Sequence, residues 1–458
     1  MTAPLFYSTN RSVPEVDLGQ ALLAGQAGDR GLFLPRAIPR YGRELLLRAG
    51  SLAYPELAAA LLAPYCEGTF SRAELEEICE DAYDFDVPLE SVDPPRWVMR
   101  LDQGPTASFK DFAARFMGRA LGRLVRQRGR RLVILTATSG DTGSAIAHAF
   151  HGVAGIEVVV LFPINEVSDR QRRQMTTLGG NIRTLALDSK FDDCQALVKE
   201  AFADPDLAPL DLSSANSINI GRLLPQSVYY VYAASRLVDL PGGEPVVFSV
   251  PSGNFGDLMG GLLAKRSGLP VRRFVIATNA NDEVPRFLAT GRYEKIVPSR
   301  KCISNAMNVG HPSNLARIVD LYGGHLDETG RLLRAPDLGA MRRDFYAVSI
   351  VDQDTRAAIV DAYRRHRTIL EPHGAVGWAG LDRYLAFHAE DRLITSIALE
   401  TAHPAKFPEE IASLLGLEPA PPASLRGLEG RRETYEKLPT DYQAFKADLL
   451  RHHGRAIR

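Results

Sequence analysis

Between Arg131 and Thr278 the chain alternates short apolar runs with longer mixed runs, and this alternation is the feature that most constrains the fold. The runs RLVILT and IEVVVLF are almost entirely apolar, so we expect strands that are buried on both faces. The predicted strands are Arg131–Thr136, Ile156–Phe162, Ile182–Leu187, Val246–Val250 and Arg273–Thr278. The predicted helices are Ser144–Phe150, Asp169–Leu178, Cys194–Phe202, Leu223–Val238 and Gly256–Arg266. This order predicts an α/β protein with parallel sheets covered by helices on both faces.

The flanking segments carry weaker patterns. Before Val92 we expect helices with one short strand: the helical runs are Glu44–Ala49, Leu57–Leu62 and Arg72–Cys79, and the strand is Gly31–Pro35. After Arg300 we expect a helix at Asp352–Arg367, a strand at Leu393–Leu399, a helix at Pro408–Leu415 and a helical or irregular end that closes in a solvated basic tail, Arg451–Arg458. A chain of 458 residues exceeds one hydrophobic core. We therefore expect a smaller N-terminal module over residues 1–95, ending near the proline-rich Val92–Pro95, and two α/β domains over 96–238 and 239–458.

Composition excludes several classes of protein. Lys plus Arg (54) nearly balances Asp plus Glu (55), which argues against a nucleic-acid partner. The four cysteines lie far apart without a CxxC motif, so we expect no disulfide framework, no metal site and a reducing compartment. The N-terminus lacks the pattern of a signal peptide, and no window approaches the roughly 18 apolar residues of a spanning helix. We expect a cytoplasmic protein without a membrane partner, as a monomer or small homo-oligomer.

The stretch Gly104–Phe112 (GPTASFKDF) places a lysine between two phenylalanines, after a Gly-Pro turn and before a helix. An ammonium held among apolar side chains has its charged form disfavoured, so the pKa of Lys110 should fall. A free lysine amine at a dry site is what imine chemistry with a carbonyl cofactor needs. The alternative is a lysine whose stem packs on the rings while its amine reaches water.

Two strand-to-helix turns are rich in glycine and hydroxyl side chains. Thr136–Gly143 (TATSGDTG) and Val250–Asp257 (VPSGNFGD) both place backbone N–H groups at a helix start, which suits an anion. Neither matches a Walker motif or a dinucleotide fingerprint, and either one alone could be ordinary turn chemistry. Ligands bind at the carboxyl ends of strands in open α/β sheets, where both turns would lie. Two anion turns and one lysine amine together favour pyridoxal 5'-phosphate as the cofactor.

The lysine stretch resembles the cofactor-lysine segment of the threonine synthase family. Further segments resemble that family's signatures, in the family's order: ATSGDTG, NSINIGRLLPQ, SVPSGNFGD, ATNANDEVPRFL, SNAMNVGHPSN, EPHGAV and TAHPAKF. The resemblance runs from residue 7 to beyond residue 400. It implies a fold-type-II pyridoxal phosphate enzyme, similar to the tryptophan synthase β subunit, that converts O-phospho-L-homoserine and water into L-threonine and phosphate.

The resemblance also implies roles for individual residues. Lys110 would be the Schiff-base lysine and the proton carrier. The remaining cofactor-binding residues would be Asp141, Gly253, Asn254, Phe255, Gly256, Asp257 and Thr401, with Asp141 near the phenolic oxygen and Thr401 at the pyridine nitrogen. Thr138, Ser139, Gly140 and Thr142 would bind the substrate carboxylate. Our candidates for its phosphate are Ser217, Asn219, Arg222 and Lys406, although Arg222 could instead form an ion pair at a helix start.

The sequence departs from the family pattern at some positions. Asn308 stands where we expect aspartate, and Asp141 stands where many related enzymes have asparagine; a carboxylate near a phenolate must share a proton or be repelled. Three other functions therefore stay open. One is a phospho-lyase that gives 2-oxobutyrate from the same substrate, and another is a hydroxy-amino-acid dehydratase. The third is a non-catalytic amino-acid-binding homologue, against which the intact Lys110 argues.

Overall fold

The computed structural model describes residues 3–454, and its first 80 or so residues form a small module of their own. The elements of this module are β1 (Leu5–Ser8), β2 (Val16–Asp17), α1 (Leu18–Ala24), β3 (Phe33–Pro35), α2 (Arg43–Ala49), α3 (Tyr54–Cys66) and α4 (Arg72–Ala82). The three strands form an antiparallel sheet in the order β2-β1-β3. The expected short strand and the three expected helices are confirmed, whereas β1, β2 and α1 were not predicted because they are too short to show a clear period.

The next part of the chain alternates strands and helices as predicted. Its elements are β4 (Leu89–Asp93), β5 (Arg96–Arg100), α5 (Lys110–Arg128), β6 (Leu132–Ala137), α6 (Asp141–Phe150), β7 (Ile156–Pro163), α7 (Asp169–Thr176), β8 (Ile182–Leu187), α8 (Phe191–Ala203), β9 (Leu212–Ser213) and α9 (Gln226–Leu237). The helix predicted to start at Leu223 begins at Gln226, because a separate 3₁₀ turn, Ile220–Arg222, and Pro225 come before it.

The last part of the chain adds a second series of strands and helices. Its first elements are β10 (Val246–Pro251), α10 (Gly256–Ser267), β11 (Val271–Thr278), α11 (Glu283–Thr290), α12 (Leu315–Leu321), β12 (His325–Leu326), β13 (Leu332–Arg334) and α13 (Leu338–Asp344). The elements that follow are β14 (Phe345–Ser349), α14 (Asp352–His366), α15 (Pro372–Phe387), β15 (Ser396–Glu400), α16 (Pro408–Leu415), β16 (Glu436–Leu438) and α17 (Tyr442–His453). The predicted basic tail is partly wrong, since Arg451–His453 form the last turn of α17; residues 455–458 lie outside the described part of the chain.

Two parallel sheets organise these elements, as expected. One has five parallel strands in the order β16-β8-β7-β6-β9. The other has six strands in the order β14-β11-β10-β15-β5-β4, with only β4 antiparallel, at one edge. Neighbouring residues of one strand face different clusters: Ile134 packs into the largest core cluster, and Leu135 packs with α8 and α17 on the other face. Helices therefore cover both faces, which explains the nearly continuous apolar strands.

The predicted domain boundaries do not follow these sheets. Strands β4 and β5 lie on either side of the predicted boundary at residues 95 and 96, yet both belong to the six-stranded sheet of the C-terminal half. Strand β16, which we expected in the last domain, pairs with β8 in the five-stranded sheet. Each sheet therefore takes strands from both halves of the sequence, so the chain crosses between the two units more than once. A linear division of the sequence cannot reproduce this exchange.

Candidate active site

Lys110 is the first residue of α5, and the segment that precedes it is tied to the segment that follows β15. Ser108 and Ala402 form an isolated antiparallel bridge. The Phe109 amide donates to the Thr401 carbonyl at 2.9 Å, and the His403 amide donates to the carbonyl of Ala107 at 3.1 Å. These backbone bonds hold the lysine and Thr401 side by side at the carboxyl end of the six-stranded sheet, although 291 positions separate them in the sequence.

The Lys110 amine lies in a largely enclosed site, with its side chain 13% exposed. Nζ lies 5.0 Å from the ring centroid of Phe109, whereas Phe112 points into an aromatic cluster of the core. Burial lowers the pKa of Lys110, and the positive charges of Lys406 and Arg222 lower it further, while Asp141 and Glu371 oppose this effect. The expected depression of the lysine pKa is thus present, and it arises from neighbouring cations as well as from apolar surroundings.

Asp141, the first residue of α6, is the carboxylate closest to the lysine. Its Oδ2 lies 3.7 Å from Lys110 Nζ, and its Oδ1 lies 2.6 Å from Lys406 Nζ. Gln171 Nε2 also donates to Oδ1, at 3.0 Å. Burial alone would raise the pKa of Asp141, but Lys406, Lys110 and the hydrogen bond from Gln171 outweigh burial and lower it. Asp141 is therefore an ionised carboxylate between two lysines.

The turn between β6 and α6 is shaped by Thr138. Its Oγ1 accepts hydrogen bonds from the Gly140 amide at 2.9 Å and the Gly143 amide at 2.8 Å. Gly140 has a φ of 140°, and a Cβ there would lie 2.5 Å from the Gln171 side chain, so only glycine fits. The hydroxyls of Ser139 and Thr142 are partly exposed and make no hydrogen bond with residues 3–454. Thr138 thus builds the turn, and Ser139 and Thr142 remain available to a ligand.

The turn between β10 and α10 presents an uncapped helix start. Phe255 precedes α10 with a φ of 61° and supplies no side-chain cap, so the first N–H groups of α10 stay open to an anion. A Cβ on Gly253 would lie 2.8 Å from the Met307 Cα, which requires glycine at this position. The Asn254 side chain tethers the turn, because Nδ2 donates to Ser217 Oγ at 2.5 Å and Oδ1 accepts from the Ser313 amide at 2.7 Å.

Two buried arginines flank the segment 215–218, which lies beside this turn. Arg222 is 3% exposed; its Nη1 donates to the Ala215 carbonyl at 2.8 Å, and its Nε has no partner. Arg317 is fully buried and donates to the carbonyls of Phe33 at 2.9 Å, Ser217 at 3.1 Å and Ile218 at 2.5 Å. Among residues 3–454 neither guanidinium forms an ion pair. Two buried positive charges without an ion pair, next to an open helix start, favour anion binding.

A buried cluster of Glu371, His373 and Glu400, which was not predicted from the sequence, lies next to Thr401. Thr401 Oγ1 donates to Glu371 Oε1 at 3.4 Å, and Glu371 Oε2 contacts His373 Nδ1 at 2.5 Å. His373 Nε2 accepts from the Ala306 amide at 3.1 Å, so the ring proton belongs on Nδ1 and points to Glu371. Glu400 lies beside this pair, and burial and the charge of Glu371 raise its pKa well above the ordinary value. The motif EPHGAV was the available signal, as a carboxylate directly before a helix that starts with proline.

Comparison with known proteins identifies the family. Residues 88–397 match the family model described as pyridoxal-phosphate dependent enzyme, residues 5–83 match threonine synthase N terminus, and residues 374–448 match threonine synthase, C-terminal. A threonine synthase of Pseudomonas aeruginosa is 37% identical, over 98% of this chain and 99% of that protein. The chain belongs to the threonine synthase family. It is an enzyme of the pyridoxal-phosphate-dependent class, as expected.

Solved threonine synthase structures superpose on nearly the whole chain. A crystal structure of threonine synthase from Brucella melitensis with bound pyridoxal phosphate matches with a TM-score of 0.91 at 35% identity, over 99% of this chain and 100% of that chain. The Escherichia coli enzyme matches with a TM-score of 0.87 at 36% identity, over 98% of this chain and 100% of that chain. The expected fold-type-II architecture is confirmed by these full-length matches.

The residues present fit pyridoxal phosphate. The chain supplies an enclosed lysine with a lowered pKa, an uncapped helix start behind Gly253, and cationic side chains without carboxylate partners. An aldehyde needs the first of these features, and a phosphate dianion needs the other two. Most predicted site residues also converge: Lys110, Asp141, Thr401 and the turns at 138–142 and 253–256 meet where the carboxyl ends of the two sheets face each other.

Three predicted site residues have side chains that bind protein partners in this structure. Asn219 is fully buried; Nδ2 donates to the carbonyls of Leu22 and Ser214, and Oδ1 accepts from the Gly221 amide. The Asp257 carboxylate accepts from Tyr229 at 2.5 Å and Tyr230 at 2.7 Å in the core. Lys406 has no exposed side-chain surface and is bound to Asp141. The predicted ligand contacts of these side chains stay predictions, and in this structure each side chain is bound to a protein group.

Two further residues have structural explanations. Asn308 Oδ1 accepts from Asn279 at 2.9 Å, while its Nδ2 donates to the Cys302 carbonyl at 3.3 Å. Aspartate could not make the second bond, so asparagine suits this partly buried turn. His403 Nδ1 accepts from the Ala405 amide at 3.1 Å, and burial and the nearby Arg100 and Lys406 lower the pKa of this histidine to about 4. His403 therefore acts as a neutral cap.

Proposed function

We propose that this enzyme converts O-phospho-L-homoserine and water into L-threonine and phosphate, with pyridoxal phosphate bound to Lys110. The observation that carries the proposal is Arg222, a buried guanidinium without a carboxylate partner whose charge acts on Lys110. The helix start at Gly256 accounts for the cofactor phosphate, so Arg222 supports a second phosphate, on the substrate. A dehydratase of plain hydroxy-amino acids would have no use for this charge.

The cofactor would be held at both ends by this chain. Lys110 would bind its aldehyde carbon, and the N–H groups of Gly253–Gly256 would bind its phosphate. When bound, pyridoxal phosphate supplies an electron sink for negative charge that develops beside the substrate amino group. Thr401 would lie at the ring nitrogen. The hydroxyl of Thr401 donates to Glu371 in this structure, so its lone pairs are the groups that face the site.

The substrate would lie between the two turns and the buried arginine. The hydroxyls of Ser139 and Thr142 and the N–H groups at the start of α6 would bind its carboxylate, while Arg222 and Ser217 would bind its phosphate. With both ends of the substrate fixed, the carbon atoms that lose and gain protons would lie near the amine of Lys110. This arrangement supports our view that orientation, more than added reactive groups, directs the reaction.

Lys110 would carry the protons. Burial lowers its pKa and so favours the free amine, which would accept a proton from the substrate, and Asp141 Oδ2 at 3.7 Å would stabilise the resulting ammonium. Enclosure of the site by the two sheet units would exclude water until the last step, when water adds to the β-carbon.

No helix within residues 3–454 has the length and apolarity to cross a bilayer, and the four cysteines are unpaired thiols. The thiols support a reducing, cytoplasmic location.

Product analysis tests this function directly. The cofactor-loaded chain is incubated with O-phospho-L-homoserine, and phosphate, threonine and 2-oxobutyrate are quantified. We expect threonine and phosphate in equal amounts. Phosphate with 2-oxobutyrate and no threonine would establish the phospho-lyase instead. Absence of phosphate release would show that the second anion site was misassigned. Lys110→Ala should abolish turnover, whereas Arg451→Met, at the exposed end of α17, serves as the matched surface control.

A further inference from the structure

Lys406 has no role in the proposed reaction, although it is one of the most completely buried charges of the site. Its side chain has 0% exposure, and Nζ is bound to Asp141 Oδ1 at 2.6 Å and to the Thr106 carbonyl at 3.0 Å. Both partners belong to the protein, so the ammonium does not project towards a ligand. Burial of a lysine ammonium costs free energy unless the charge is paired and hydrogen-bonded, so we asked what this ion pair does for the site.

The position of Asp141, next to Lys110, calls for a compensating positive charge. A lone carboxylate 3.7 Å from Lys110 would favour the ammonium form of that lysine, which cannot attack an aldehyde. Lys406 and Gln171 both bind the same oxygen, Oδ1, at 2.6 and 3.0 Å. Oδ2 is thereby left as the oxygen that faces Lys110. The carboxylate is fixed in direction, and its charge is already matched by a cation.

We propose that Lys406 is a positioning residue that orients Asp141 and offsets its charge, so that Lys110 is available as the free amine at neutral pH. This inference rests on the proposed role of Lys110 as the cofactor lysine. The charge of Lys406 would also let Asp141 stay ionised close to the phenolic oxygen of the cofactor. Without such a cation, a carboxylate near a phenolate must share a proton or be repelled. The lowering of the Lys110 pKa by Lys406 agrees with this role.

Other ionisable groups face the two lysines from several elements, and none replaces Lys406. Arg222 also lowers the pKa of Lys110, and Glu371 raises it, but neither contacts Asp141. These groups are Asp111 on α5, Asp141 on α6, Arg222 on the turn before α9, Asp257 on α10, Glu371 before α15, and His403 and Lys406 after β15. Of these groups, Lys406 alone both binds Asp141 and repels a proton from Lys110.

The rate at which the full-length, cofactor-depleted chain takes up pyridoxal phosphate measures the free amine of Lys110. Uptake is followed by the absorbance change on imine formation, from about pH 6 to about pH 10, a range that covers the depressed pKa of an enclosed lysine. The variants are Lys406→Met, Lys406→Arg and Gln171→Leu, with Lys301→Met as the exposed lysine control. The readout does not depend on turnover.

We expect Lys406→Met to take up the cofactor several-fold more slowly at neutral pH and to recover the unchanged chain's rate at high pH. Lys406→Arg should keep the original profile, because it keeps the charge. Gln171→Leu should shift the profile less than Lys406→Met, because it removes a donor but no charge. A rate for Lys406→Met that is unchanged, or low at every pH, overturns the proposal, as does an equal shift in Gln171→Leu. Failure of the unchanged chain to bind cofactor at any pH would instead refute the proposed function.

Discussion

Replacing Arg222 by methionine should make the protein more stable and a much poorer enzyme. The side chain is 3% exposed and makes one hydrogen bond, to the Ala215 carbonyl, while its Nε has no partner. A guanidinium in such a place costs free energy in the absence of a bound anion. Methionine has a similar length and no charge, so it can fill the space without that cost.

The size of the stability gain follows from the shift in proton affinity. Burial lowers the pKa of Arg222 from 12.5 to about 10, which corresponds to about 3 kcal/mol against the charged form in the folded protein. Because the folded state binds this proton less tightly than the unfolded state, the penalty is complete at neutral pH and is relieved only as the pH rises above about 10. Loss of the bond to Ala215 costs about 1 kcal/mol. The net expectation is an increase of about 2 kcal/mol in the free energy of unfolding.

The catalytic loss should be larger than the stability gain. Removing one partner of a buried, hydrogen-bonded charge pair costs about 2–5 kcal/mol, which is about 30- to 5,000-fold in kcat/KM. Urea denaturation and phosphate release from O-phospho-L-homoserine measure the two effects, and Arg451→Met should change neither. A variant that is less stable and keeps its kcat/KM would refute the assignment, since Arg222 would then be a structural residue.

Three further substitutions test other parts of the site. Arg317→Met should leave the free energy of unfolding nearly unchanged in the same denaturation assay. Burial lowers the pKa of Arg317 to about 9, a cost of about 5 kcal/mol that the substitution removes, but the bonds to three carbonyls and to Asn314 Oδ1 are worth about 1 kcal/mol each and are lost with it; an increase like that of Arg222→Met would contradict this anchoring role. Burial raises the pKa of Asp257 from 3.8 to about 6, so the penalty for its charge grows as the pH rises from about 4 to about 6 and is complete above that range. Asp257→Asn should gain about 1 kcal/mol at pH 8, lose that gain at pH 5 and leave cofactor affinity unchanged; a weakened affinity would support the predicted cofactor contact of Asp257. Gly374→Ala should destabilise the protein by about 3 kcal/mol or more, because the new Cβ would lie 1.5 Å from Glu400 Oε2. A folded variant of normal stability would show that Glu371 and Glu400 are not packed against α15.

The sequence alone determined the local structure of the central region and indicated Lys110 as its candidate cofactor lysine. All five predicted strands between residues 131 and 278 are present, because short apolar runs rich in β-branched residues and bounded by turn residues favour strands buried on both faces. Lys110 and the two turns were predictable for the same reason. The residue types that make them candidates, an apolar-flanked lysine and glycine-rich strand ends, lie within a few positions along the chain and can be read directly.

Only the tertiary structure decided which sheet each strand joins and how the charges pair. Strands β5 and β15 lie next to each other although nearly 300 residues separate them, and β16 returns to the first sheet. The same long-range packing buries Lys406 against Asp141 and joins Asn219 to Leu22, and neither partner could be read from the sequence. A local pattern indicates whether a side chain can be charged or buried. The residue that it contacts, however, depends on strand pairing between distant segments. Strand pairing depends on the apolar surface that all segments of the folded chain bury together. The sequence of one segment therefore does not reveal its partner.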